Sequence, residues 1–206
     1  MKPRISMPSL GVIAFVLFFS ASCIPEFKNP LPVPKGVKPD QKILGTWESG
    51  SPDDKTQVRF FPSGKSGSMY IVHISTEGPE YPPDISIWRG YTTILNKDKF
   101  LCLRFIKKVY PDSEDDQEEP FFNIAHYRIS DEDTLLIYMF SQYSIKRLIE
   151  KGKLKGEIEE RSYSDKVTVT SSSEELAATI IKEGVESFIS DDEGDYVGMK
   201  FKRLKK

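Results

Sequence analysis

His73 in "YIVHIS" and His126 in "NIAHYR" are the chain's two histidines, so a zinc site or a Ser-His-Asp relay would have to use one of them. The spacing such sites need is missing: there is no HExxH, no paired Cys/His run and no Gly-x-Ser-x-Gly. Each histidine stands alone in an apolar stretch. Cys102 in "KFLCLRF" has no assigned base and reads as a small buried hydrophobe rather than a nucleophile. "PSGKSG" (62–67) ends like a phosphate-binding loop, but the glycine required at position 59 is Arg59, and a strand pattern follows where that motif needs a helix; it reads as a hairpin turn. The acidic runs "DSEDDQEE" (112–119) and "DDEGD" (191–195) lack the alternating ligand spacing of a calcium loop. They read as solvated loops, with weak surface calcium as the alternative. Paired carboxylates for glycoside hydrolysis meet only in a fold. No catalytic constellation is present, so an enzyme is the third choice, and neither a cofactor nor a metal is expected.

The elements that would position any site are mostly strands. Ten runs rich in Val, Ile, Phe, Tyr and Thr are bounded by Gly, Pro, Asp and Ser: 44–49, 57–61, 68–76, 85–95, 99–109, 121–129, 134–140, 154–160, 166–170 and 196–204. Short loops make the early pairings antiparallel. Two helices interrupt them. "TSSSEELAATIIKEG" offers Ser172 as N-cap with Glu175 three places on, a buried face of Leu176, Ile180 and Ile181, and Gly184 as C-cap. A shorter helix, 142–151, ends at Gly152. Strand 154–160 and the last strand alternate apolar with charged residues and so have one dry face, whereas "TLLIYMF" (134–140) is apolar on both. Something must cover its second side.

A closed antiparallel barrel with helices packed outside meets that demand. "ILGTWE" (43–48) resembles the Gly-x-Trp start of lipocalin-like domains. The resemblance implies a barrel of about eight to ten strands, with Trp47 closing one end on the first strand; Trp47 as ordinary core with Gly45 at a bulge is the other reading of these residues. An open two-layer antiparallel sheet with helices on one face is the alternative architecture.

The chain begins with Lys2 and Arg4, runs through ten apolar residues from Leu10 to Phe19, and has no acidic residue before Glu26. That is the layout of a secretory signal peptide, and the run is too short for the roughly 20 residues that span a bilayer. "SASC" (20–23) resembles the lipobox of bacterial lipoproteins, with Ser20 where Leu is usual. The resemblance implies cleavage after Ser22 and acylation of Cys23. With Ile24 after the cysteine instead of Asp, it implies the outer membrane. Residues 23–40, with Pro25, Pro30, Pro32, Pro34 and Pro39, read as an extended tether, and 41–206 as a single domain. Without Lys2 and Arg4, 27 basic residues face 31 acidic ones, a formal charge of −4. No basic stripe suits phosphates, so nucleic acid is not an expected partner.

Two functions follow. In the first, an anchored barrel holds a small apolar or amphipathic ligand, lined by Trp88, Tyr91, Phe100 and Phe105, with Arg104 and His126 as its polar groups. In the second, a structural lipoprotein reaches an envelope protein or the cell wall, and its apolar faces are merely packed.

Overall fold

The structure is a computed structural model that describes residues 24–33, 38–51, 54–64, 67–77, 82–109, 120–130, 133–162, 164–191, 194–196 and 198–204. Residues 1–22, expected to be a signal peptide, Cys23 and the acidic run 112–119 lie outside them.

Each strand run found in the sequence forms a strand, and eight of the ten close into an antiparallel barrel. After a short β1 (Glu26–Phe27) come β2 (Gly45–Gly50), β3 (Asp54–Pro62), β4 (Ser68–Glu77), β5 (Asp84–Leu95), β6 (Asp98–Lys108), β7 (Asn123–Ser130) and β8 (Thr134–Met139). The chain then leaves the barrel for α1 (Gln142–Glu150), β9 (Gly156–Glu159), β10 (Lys166–Val169), α2 (Ser173–Glu183) and α3 (Glu186–Ile189), and returns as β11 (Gly198–Arg203). Strand order around the barrel is β11-β2-β3-β4-β5-β6-β7-β8, and β11 closes it by pairing with both β8 and β2. This is a lipocalin-like barrel, not an open sheet. The strands β9 and β10 stand outside it, with β1 as the third member of a small sheet in which β1 and β10 run parallel.

Alternation divides the apolar residues between two cores. Inside the barrel lie Trp47, Val58, Phe60, Met69, Ile71, Leu101, Tyr127, Leu135 and Phe201, among others. Outside the β5–β8 wall lie Phe100, Cys102 and Ile124, covered by Phe27, Leu31, Phe140, Leu148, Val169, Leu176, Ile180 and Phe188. The excursion between β8 and β11, together with the N-terminal segment around Phe27 and Leu31, therefore covers the second dry side of the middle strands. Its helices are locally determined. Ser172 and Glu175 form the expected capping box, with Glu175 N–H donating to Ser172 Oγ at 3.2 Å and Ser172 N–H to Glu175 Oε2 at 2.9 Å. Ile181, by contrast, is half exposed while Leu176, Ala177 and Ile180 are buried. It follows Ile180 by about 100°, beyond the edge of the buried stripe.

The proline-rich stretch is corrected by the structure. Residues 24–33, expected to belong to a free tether, lie against the barrel, with Phe27 and Leu31 both 0% exposed. Phe27 and Phe122 exchange backbone hydrogen bonds at 2.9 Å, the Tyr91 hydroxyl donates to the Leu31 carbonyl, and Thr93 Oγ1 donates to the Pro32 carbonyl at 3.1 Å. Beyond the two strand residues Glu26 and Phe27, its backbone bends at Lys28, Asn29 and Leu31. Two large apolar side chains fastened it down.

Candidate functional site

The two ends of the barrel differ. At one end, residues 38–44 cross beneath the strands and form a floor. Trp47 is buried there, its Nε1–H donating to the Ile43 carbonyl at 2.7 Å, with the Arg203 guanidinium 4.0 Å above its ring. Arg203 also donates to the Leu44 carbonyl at 2.8 Å and to Asp133 at 3.1 Å. Gly45 has φ +112°, and a Cβ there would meet Arg203 Nη1 at 3.3 Å, so glycine suits this corner. Asp40 gathers Lys99 Nζ at 2.7 Å, the Tyr127 hydroxyl at 3.0 Å and the Lys42 N–H at 3.0 Å. Burial would raise the Asp40 carboxyl, but these donors outweigh it and hold it below its ordinary range. Burial and the Asp40 charge push the Tyr127 hydroxyl well up.

The other end, from which β3, β5, β7 and β11 set out, we call the mouth; its connections 52–53, 78–81 and 110–119 lie outside the described residues. Between floor and mouth lies a cavity of about 40 Å³, walled by Val58, Phe60, Ile71, His73, Trp88, Leu101, Leu103, Ile137, Met139, Met199 and Phe201. That is room for about three water molecules. Ten of these eleven side chains are apolar. His73 is held at about 4 by burial and by the Lys108 charge, with Asp84 opposing, so it stands neutral at pH 7. Met139 and Met199 are unbranched and deformable, and their rotation can widen the space.

Of the residues singled out in the sequence, Trp88 lines this cavity and Phe105 packs edge-on against it, with centroids 5.1 Å apart. The other four face away from it. Phe100, Tyr91 and His126 belong to the outer wall: Phe100 contacts His126 and Phe140 at centroid distances of 5.6 and 6.2 Å, and His126 stacks on Tyr138. Arg104 lies over the Phe122 ring at 5.7 Å. His126 Nε2 is 3.4 Å from Asp98 Oδ1, and its Nδ1 is buried with no hydrogen-bond partner among the described residues. Burial, then the Arg128 charge, holds His126 below its ordinary value. Cys102 is buried, and burial pushes its thiol up to about 12.

The parity of these positions carried a signal. Trp88 and Tyr91 are three apart and Phe100 and Phe105 five apart on continuous strands, and odd separations put side chains on opposite faces. Starting inward from Trp88, cross-strand pairing with Ile71 and Phe105 leads to the real lining. The two histidines likewise fall on opposite sides of the wall, and among the described residues no group of three or more His, Cys, Asp or Glu could hold a metal ion. None of the protein-family models, curated proteins or solved structures compared with the chain matches it.

Proposed function

We propose that the protein is a lipoprotein of the cell envelope, exported by residues 1–22, acylated on Cys23 and held at the outer membrane, whose barrel binds a small apolar or amphipathic ligand without chemical turnover. The cavity carries the binding reading: its wall is apolar on every strand it touches and its one histidine is neutral, and at about 40 Å³ it takes a ligand only once Met139 and Met199 have swung aside to widen it. The anchor reading rests on the residues around Cys23. Native mass spectrometry of residues 24–206, exported behind a leader that is cleaved without acylation and purified without detergent, before and after solvent extraction, tests the binding reading. A discrete mass lost on extraction is expected. A bare protein mass, together with no uptake of a fluorescent fatty acid, overturns it.

One observation favours the second reading, an interaction lipoprotein. Phe61 and Tyr70 pair across β3 and β4 on the uncovered outer wall, 46% and 37% exposed. Crosslinking in cells that captures one envelope partner, lost in Phe61→Ser/Tyr70→Ser, would establish it.

A further inference from the structure

We infer that the ligand is an amphiphile with an uncharged head bearing hydroxyl or amide groups, and that Thr56, His73, Asp84, Ser86 and Lys108 hold that head on the inner faces of β3–β6. This rests on the binding reading proposed above, and adds to it the chemistry of the ligand and its direction.

Strand register assembles the site. Cross-strand partners share one face of a sheet, as do alternate residues along a strand. Ile71 and Trp88 are one such pair, both lining the cavity. Two residues nearer the mouth on each strand come His73 and Ser86, and then Ser75 and Asp84. Thr56 stands opposite Ser75 on β3, and Lys108 opposite Ser86 on β6, where the bulge beside Trp88 brings it to the inner face. The inner face thus turns from apolar to polar in a single step, whereas Met139 and Met199 across the barrel are apolar.

Three of these polar side chains lie deep: Thr56, His73 and Ser86 are 5%, 6% and 4% exposed. Polar groups at that depth cost free energy unless they find partners, and the Trp88 Nε1–H supplies one to Ser86 Oγ at 3.0 Å. Above them, Asp84 Oδ2 lies 3.4 Å from Lys108 Nζ, while Asp84 Oδ1 is buried with no hydrogen-bond partner among the described residues. A buried acceptor in that state calls for a donor. His73 is neutral, and the charges acting on it are those of Asp84 and Lys108, which agrees with all three sharing the inner side. Asp84 and Lys108 offset each other. A carboxylate head would be repelled by Asp84 and an ammonium head by Lys108. An uncharged head can donate to Asp84 Oδ1 and accept from the Lys108 ammonium. Its tail then points toward the floor, past Trp88 and Ile71 and between the methionines.

The test is calorimetric titration of residues 24–206 at neutral pH with three ligands of one tail, monododecanoylglycerol, dodecanoate and dodecylamine, each kept monomeric. The glyceride is expected to bind about tenfold more tightly than either charged ligand. Asp84→Asn removes the charge that offsets Lys108 and should turn the preference toward dodecanoate. Glu48→Gln, an equal charge change on the outward face of β2, should leave the ratios as they are. A variant that merely loosens the barrel weakens all three ligands together and does not move their ratios. Either charged ligand binding as tightly as the glyceride, or ratios unmoved by Asp84→Asn, overturns the inference. Binding of none of the three strikes the binding reading itself.

Discussion

The wall formed by β6 and β7 is dry on both sides, yet its two sides are built differently. Outward, Phe100, Cys102 and Ile124 meet an aromatic cluster in which Phe27–Phe140 and Phe140–Phe188 centroids lie 5.9 and 5.1 Å apart, held by the N-terminal segment and the excursion. Inward, Leu101 and Leu103 face the cavity and its two methionines. Rings lock an interface, whereas methionines let one deform. Stability is concentrated on the outer side of the wall and adaptability on the inner side.

The largest effect should come from breaking the outer side. Phe27→Ala removes a fully buried ring and should cost about 3–5 kcal/mol, read as a fall of roughly 6–20 °C in Tm. A loss under about 1 kcal/mol would mean that residues 24–33 are a loose tether after all. Next comes the inner histidine. His73 titrates at about 4 in the fold and at its ordinary 6.5 when unfolded, so the unfolded chain binds the extra proton between those values. Stability should therefore be full above pH 6.5 and fall as the pH drops toward 4, by up to roughly 2–3 kcal/mol at pH 4.5. Urea melts of His73→Leu should lack this loss, and an unchanged acid profile would place the titration elsewhere.

A smaller change tests the floor. Asp40→Asn takes the charge from the Lys99 and Tyr127 contacts and should cost about 1–2 kcal/mol, or about 2–8 °C. Because the Asp40 carboxyl is held below its ordinary range, its contribution is present above pH 3.8 and disappears as the pH falls through the lower folded value. The variant's acid limb should be the flatter of the two. The smallest stability change sharpens the inner side: Ile71→Phe adds volume toward the cavity and should cost less than about 1.5 kcal/mol. It should nevertheless abolish fatty-acid uptake, and uptake equal to that of the unchanged chain would exclude this cavity as the site.

Much of the fold was legible because its causes are local. The ten strand runs alternate or cluster β-formers over a few residues, and the α2 capping box is written within four positions. The dry second face of "TLLIYMF" correctly demanded a cover. What supplied it was not legible, because β1 has two residues and pairs with β10 across more than a hundred positions. Of the candidate site, only Trp88 lines the cavity, with Phe105 packed against it, while Tyr91, Phe100, Arg104 and His126 were grouped with them by residue type although strand parity separates them.

By itself, then, the sequence determined the strands and the helix caps, since each depends on neighbours along the chain. Only the tertiary structure decided that eight strands close while two stand outside, and that Phe27 and Leu31 make the proline-rich segment part of the wall. Those outcomes depend on surfaces meeting across long sequence separations, where the balance of buried area against chain entropy is settled by the whole fold.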